Sequence, residues 1–243
     1  MRLTRVHVSE PLTAGHRHTI EGDAANHIMR VLRLERGDPL IVFDGRGGEY
    51  AARIEELRKA AVIIAVGDHS TVVRESPLSL TLAQGVSRGE RMDWVVQKAT
   101  ELGVTRIIPV VTQRTVVKLD AKQAERKLLH WRGIAIAAGE QSGRDRIPTI
   151  DMPLALSAFL GEIVDGSIRV LLSPAGQLRV ADLPRPDGDV VVLIGPEGGL
   201  ADAEQQAALR TGFTAVRLGP RVLRTETAAV AALTMIQHYF GDL

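Results

Sequence analysis

The chain has no cysteine. Disulfides, zinc–thiolate sites and cysteine nucleophiles are therefore excluded, and the composition fits a reducing compartment. Aromatic residues make up only 3%, so a core has to be built from Val, Ile, Leu and Ala. No stretch approaches the ~20 apolar residues of a membrane span, and Met1-Arg2-Leu3-Thr4-Arg5 opens without an apolar signal segment. The expectation is a cytoplasmic protein with no membrane partner. Neither sign of charge dominates: 30 Lys and Arg against 29 Asp and Glu leave a formal net charge of +1. Bulk charge thus gives no argument for a nucleic-acid partner.

What is present describes an ordinary globular protein, 45% hydrophobic and 24% charged over 243 residues, enough for one large domain or two modest ones. Charge is unevenly spread. Residues 84–146 hold 12 Lys or Arg against 7 Asp or Glu, while residues 1–73 balance at 10 and 10 and hold five of the seven histidines. A basic middle suits a polyanionic partner and equally suits a solvated helix face.

Residues 1–73 read as strands with one helix. Asp23 stands as N-cap of a helix through Leu32, with Ile28, Val31 and Leu32 inward. Leu40–Phe43 and Tyr50–Ile54 flank the turn residues Asp44-Gly45 and Gly47-Gly48 as a hairpin, and Ala60–Val66 is a further strand. Short strands at this spacing predict a small β-barrel. Periodicity is lost over Gly67–Thr71, which places a domain boundary at residues 73/74.

From residue 74 to 243, strands alternate with helices, predicting an α/β domain with a parallel sheet covered on both faces. Met92, Val95, Val96, Ala99 and Leu102 form a helical stripe ended by Gly103. Ile168–Leu172 and Val190–Ile194 read as buried parallel strands, Val216–Leu218 as the last strand and Thr225–Phe240 as the last helix. Asp202 with Gln205 resembles a capping box.

Two glycine-bearing loops carry the most chemistry: Ile194-Gly195-Pro196-Glu197-Gly198-Gly199-Leu200, and Leu218-Gly219-Pro220-Arg221-Val222-Leu223-Arg224-Thr225-Glu226-Thr227-Ala228. Each leaves the carboxyl end of a strand, where open α/β sheets bind ligands. Neither supplies the Lys-Ser/Thr of a Walker loop, and neither follows the first strand of a dinucleotide-binding half. Pro196 also removes an amide that a pyrophosphate would use. One such loop could be a mere tight turn. Two side by side, each with a Glu among small residues, point to a ligand site.

These loops resemble those of the SPOUT-class RNA methyltransferases, and in particular the 16S rRNA uracil-N3 methyltransferase (RsmE) family. Three upstream stretches agree in order: Asn26-His27-Ile28-Met29-Arg30-Val31-Leu32-Arg33, Arg91–Gly103, and Glu140-Gln141-Ser142-Gly143-Arg144. The resemblance covers nearly the whole chain. It implies an N-terminal PUA-like RNA-binding barrel and a C-terminal domain with a trefoil-knotted sheet. It further implies bound S-adenosylmethionine held bent by Leu172, Ser173 and Pro174, by Ile194, Gly195, Pro196, Glu197, Gly198 and Gly199, and by Leu218, Gly219, Val222, Leu223, Arg224, Thr225, Thr227 and Ala228. The chain departs from the family pattern at Ala175, where an acid is usual. It departs again at Leu200-Ala201, where Phe and a hydroxyl residue are usual and Asp202 remains available as a cap.

The reaction so implied needs no metal, because a methyl sulfonium is already activated. Uracil N3 carries a proton and sits on the pairing edge, so the base must be unpaired or extruded and its anion favoured. Glu197, Arg224 and Glu226 are the candidate catalytic groups, with Arg224 the anion stabiliser; Arg224 and Glu226 could instead form a structural ion pair. For RNA phosphates the candidates are His27, Arg30 and Arg33 on one side of the first helix, Arg88 and Arg91 (with Lys98) near the first strand of the second domain, and Arg144. Each also suits a solvated face. Gln141, Ser142 and Gly143 are expected to border the cleft, and Trp94 and Trp131 to anchor the core or a dimer interface. The expected partners are small-subunit rRNA or the assembled small ribosomal subunit, and a second copy of the chain. Two alternatives share the fold: methylation of a ribose 2′-hydroxyl, and a non-enzymatic rRNA-binding assembly factor. A dehydrogenase is weakened by the missing fingerprint.

Overall fold

A computed structural model describes residues 3–71, 74–117, 119–162 and 167–243. The chain divides into two compact units, one of residues 1–75 with 139–147, the other of 76–138 with 148–243. Val72 and Val73, beside the expected domain boundary, lie outside the described residues, as do Met1 and Arg2.

The first unit is a mixed half-barrel of β1 (Arg5–His7), β2 (Arg17–Glu21), β3 (Pro39–Phe43), β4 (Glu49–Leu57) and β5 (Ala61–Ser70), in the order β1-β3-β4-β5-β2. β1 runs parallel to β3 and the remaining pairs are antiparallel. Alternation builds the core: Leu40 and Val42 of β3 and Val62, Ile64 and Val66 of β5 turn inward onto Val6, Ile20 and Ile54. The expected β3–β4 hairpin is present, with Val42 opposite Tyr50. β5 runs on to Ser70, through the stretch where side-chain periodicity stops. Its backbone still pairs there, His69 opposite Tyr50, although both faces of residues 67–70 are exposed.

The helix of this unit departs from expectation. α1 spans only Gly22–Asn26, with Glu21 at the N-cap and Asp23 inside the first turn. One turn of π-helix, His27–Val31, follows. A π-turn is wider than an α-turn, so Ile28 stays fully buried while Val31 swings out to 67% exposure. Leu32 is half-buried.

Residues 139–147 complete the unit. The Arg144 guanidinium pairs with Glu75 (2.5 Å), and Arg5 Nη2 donates to the Arg144 carbonyl (2.9 Å). The His7 amide donates to Glu140 (2.9 Å), and Arg74 to the Gly143 carbonyl (2.9 Å).

In the second unit, β6 (Ser79–Gly85), β7 (Arg106–Val111), β8 (Thr149–Ile150), β9 (Leu154–Ala155), β10 (Ile168–Leu172), β11 (Asp189–Ile194) and β12 (Thr214–Val216) form one parallel sheet. The order is β12-β10-β11-β6-β7-β8, with β9 also against β7. The helices are α2 (Glu90–Glu101), α3 (Ala121–Ser142, whose last turn belongs to the first unit), α4 (Leu156–Gly161), α5 (Asp202–Arg210) and α6 (Thr225–Phe240). The α2 stripe of Met92, Val95, Val96 and Ala99 is buried, and Gly103 ends it at φ +81°. β12 stops at Val216, two residues earlier than expected.

The capping of α5 also differs from the sequence reading. Asp202 is its first helical residue, and Glu204 reaches back to the Ala201 amide (2.8 Å). Trp131 is core at 1% exposure, whereas Trp94 is 41% exposed.

Candidate functional site

β12, β10 and β11 are neighbours in the sheet, so the loops leaving their carboxyl ends emerge side by side. They enclose a cavity of about 650 Å³, within the range of small-molecule sites. Its walls are Leu172-Ser173-Pro174 after β10, Ile194–Leu200 after β11, and Leu218, Gly219 and Arg221–Glu226 with Ala228 before and within the start of α6. Every residue expected to hold a cofactor lines it except Thr227.

Local structure holds the loops in place. The Ser173 amide donates to the Val216 carbonyl (3.0 Å), and Ser173 Oγ meets Gln205 Oε1 (3.3 Å). The Gly199 amide closes a turn onto the Pro196 carbonyl (2.8 Å), and Gly199 has φ +68°, where a side chain would be strained. A Cβ on Gly195 would come within 2.8 Å of the Gly199 carbonyl carbon, so the β11 loop folds this tightly only with glycine there.

After β12, at one edge of the sheet, the chain returns to the middle. Thr225 Oγ1 donates to the Gly195 carbonyl (2.7 Å) and accepts from Gln84 Nε2 (2.9 Å), Gln84 being at the end of the central strand β6. Both Thr225 and Gln84 are buried.

The charges divide into committed and free groups. Glu197 Oε1 accepts from the Arg88 amide (2.9 Å) and from Arg91 Nη1 (2.7 Å). Burial alone would raise the Glu197 carboxyl, but those hydrogen bonds and the Arg91 charge hold it below the ordinary carboxylate range. Arg91 Nε also lies 3.9 Å from Glu226 Oε1. The second oxygen of Glu226, Oε2, is buried without a hydrogen-bond partner. Arg224 caps α6 through its backbone, and its exposed guanidinium forms no ion pair among the described residues. The alternative of an Arg224–Glu226 pair is therefore not what the fold forms; Arg91 takes that place.

The RNA-contact candidates part company as well. Arg91 belongs to the cavity wall, and Arg88 keeps an exposed side chain beside it. Lys98 is tied to Glu101 (2.8 Å). His27 and Arg30 lie on the π-turn and Arg33 beyond it, so the three do not share one α-helical face. Arg144 departs from expectation: at 4% exposure its planar fork is spent on Glu75, which leaves nothing to offer a phosphate. Gln141, Ser142 and Gly143 lie with it in the first unit, outside the residues lining the cavity.

Arg114 and Gln205 also line the cavity. Arg114 Nη1 donates to the Gly198 carbonyl (2.9 Å) and Gln205 Nε2 to the Leu200 carbonyl (3.3 Å). Arg114 follows the carboxyl end of β7, a position that marks it as a site residue once the sheet is known to be parallel.

A cavity enclosed by three loops at the carboxyl ends of a parallel sheet defines this second unit as an α/β ligand-binding domain. Residues 74–237 match the RNA methyltransferase domain and residues 20–66 the RNA methyltransferase PUA domain. The ribosomal RNA small subunit methyltransferase E of Bacillus subtilis is 32% identical over 247 residues, covering 98% of this chain and 94% of that protein. Its counterpart in Buchnera aphidicola (from Schizaphis graminum) is 31% identical over 242 residues, covering 100% and 98%. Among solved structures, the Neisseria gonorrhoeae ribosomal RNA small subunit methyltransferase E bound to S-adenosyl methionine superposes with a TM-score of 0.94, at 35% identity over the full length of both chains. A Legionella pneumophila methyltransferase in complex with the same cofactor gives 0.96 at 40% identity, again over both full lengths. The chain belongs to the ribosomal RNA small subunit methyltransferase E family of RNA methyltransferases. The resemblance read from its loops therefore holds.

Proposed function

We propose that this protein transfers a methyl group from S-adenosylmethionine to N3 of a uridine in small-subunit ribosomal RNA. The observation that carries this reading is the three-loop cavity: nearly all the residues assigned to the cofactor by family resemblance converge on it. Two neighbours of matching fold hold S-adenosylmethionine. The cavity suits that ligand. Its glycine loop packs too tightly for side chains at Gly195, which leaves peptide groups to line that wall, and Glu226 puts a carboxylate with one unbonded oxygen among the lining residues.

When bound, S-adenosylmethionine supplies a methyl carbon already activated by its sulfonium. The chain must then expose the N3 lone pair of uracil. Arg224, free of any carboxylate and on the cavity wall, is placed to stabilise charge growing on O2 or O4 as the N3–H bond breaks. Glu226, with one buried oxygen lacking a donor, accepts that proton. Glu197 stays ionised and spent on Arg88 and Arg91, so its role is to hold the β11 loop against α2. The base must leave its stack to reach the cavity, because N3 lies on its pairing edge.

The fuller reading includes a homodimer and a knotted path through the C-terminal sheet, both implied by the family resemblance, and a cytoplasmic location, the expectation from the sequence itself. The return of the chain from β12 to Gly195 supports such a path. Among the described residues no helix is long and apolar enough to cross a membrane.

The decisive experiment is methyl transfer from labelled cofactor to purified small subunits and to free rRNA, with mapping of the product. N3-methyluridine in the small-subunit RNA is the expected product. A ribose 2′-O-methyl product, or binding without transfer, would replace this reading with one of its alternatives.

A further inference from the structure

Two helix starts each bring a carboxylate to the cavity, and one arginine stands between them. Glu197 meets the first turn of α2 through the Arg88 amide (2.9 Å) and Arg91 Nη1 (2.7 Å). Glu226 lies in the first turn of α6, and Arg91 Nε is 3.9 Å from its Oε1. Arg91, Arg114, Arg221 and Arg224 all line the cavity, and among the described residues only Arg91 pairs with a carboxylate there.

The two contacts of Arg91 differ in kind. The link to Glu197 is a charge-assisted hydrogen bond, which fixes where the guanidinium stands. The link to Glu226 is longer than a hydrogen bond and acts through charge alone. Arg91 thus steadies Glu226 while leaving its capacity to accept unspent. The other oxygen, Glu226 Oε2, is buried without a hydrogen-bond partner. An arrangement serving stability alone would supply a donor there, because a buried unpaired acceptor costs free energy. A carboxylate held near a cation yet left unbonded is suited to receiving a proton.

We propose that Arg91 is a positioning residue for methyl transfer. Anchored by Glu197, it holds the Glu226 carboxylate where it takes the N3 proton. Its fork is committed to the two carboxylates, so its place is in the cavity wall and not on an RNA phosphate. This rests on the reading above, with Glu226 as proton acceptor, and adds what holds that acceptor in place.

The test is steady-state methyl transfer by the full-length protein to unmethylated small subunits, with subunit affinity measured across salt concentrations. Arg91→Gln should lower kcat by about 10- to 10²-fold, the scale of a misplaced catalytic group, with KM for the subunits unchanged. Arg91→Lys keeps the charge without the fork and should recover part of that loss. In a Glu226→Gln background there is no carboxylate to steady, so adding Arg91→Gln should cost nothing further. A phosphate contact predicts the opposite: losses that multiply in the double variant, and a log–log salt slope shallower by about 1 in Arg91→Gln. Either result overturns the proposal, as does wild-type kcat in Arg91→Gln. If Arg91→Gln does not fold, Arg91→Lys carries the same cycle, and its loss should vanish beside Glu226→Gln. Wild-type turnover in Glu226→Gln, or no N3-methyluridine from the wild type, overturns the functional reading itself, a result distinct from multiplying losses.

Discussion

The Thr225 hydroxyl donates to the Gly195 carbonyl across 2.7 Å, joining the first turn of α6 to the glycine loop of β11. Because that hydroxyl has one hydrogen, it must accept from Gln84 Nε2, and the direction of the relay Gln84–Thr225–Gly195 is settled. Thr225→Val keeps the shape and removes the relay, stranding a buried amide N–H and a carbonyl. The expected cost is about 1–3 kcal/mol of stability, a drop of several degrees in Tm. Cofactor affinity should fall with it, since two walls of the cavity lose their tie. Differential scanning fluorimetry and calorimetry with S-adenosylmethionine measure the two effects.

Arg224 and Glu226 are assigned different tasks, and kinetics separates them. Arg224→Ala should lower kcat by about 10²-fold or more, the magnitude typical of losing one group that stabilises a developing anion, while cofactor Kd changes little. Glu226→Gln should lower kcat by about 10²-fold or more, as loss of a general base does, and its residual rate should rise with pH as solvent hydroxide takes over. Wild-type turnover in Arg224→Ala would remove it from the mechanism.

Glu197 makes a prediction about pH. Its folded carboxyl is held below the ordinary value despite partial burial, chiefly by the Arg88 amide and Arg91. The stabilisation it brings is present above the unfolded carboxylate pKa and lost as pH falls through the lower folded value. Glu197→Gln should therefore lower Tm near pH 7 and make little difference near pH 3. With the side chain 26% exposed, the loss should stay within about 1 kcal/mol. The neutral-range pH dependence of turnover should be the same in wild type and variant, since Glu197 is ionised throughout.

Features that depend on neighbours along the chain were legible in the sequence. Thr225–Phe240 is a helix as its composition predicts, and the apolar runs at Ile168–Leu172 and Val190–Ile194 are parallel strands. The α2 stripe is buried as its spacing requires. Where local backbone geometry changed, the same reasoning failed. Val31 is misplaced because spacing arguments assume an α-turn and the chain makes a π-turn. Asp202 looked like a cap because hydroxyl and carboxyl residues usually are, yet Glu204 supplies the contact from inside the helix.

The cavity loops could be found because each glycine segment is continuous. Their supports could not. Arg114 reaches Gly198 from 84 residues away, and Gln84 reaches Thr225 from 141 away. Arg144 shows the reverse case. As a basic residue in a basic stretch it suggested phosphate, and only the fold reveals Glu75 as its partner.

Glu140 provides a test within the first unit. Burial raises its carboxyl above the ordinary value, and the His7 amide and the charges of His27 and Arg5 only partly offset that. A carboxyl whose folded pKa lies above its unfolded one favours the folded state when both are protonated, and that advantage fades as pH climbs from the unfolded value through the folded one. At neutral pH the fold therefore bears a cost for keeping this group charged or protonated where water would ionise it freely. Glu140→Gln retains an oxygen to accept from the His7 amide, 2.9 Å away in the wild type, and removes the titration. The variant should match or exceed the wild-type Tm at pH 8 and lose that relative gain at pH 4. Thermal melts across that range decide it: a variant less stable at pH 8 than at pH 4, relative to wild type, would mean that the charge of Glu140 is what Arg5 and His27 require.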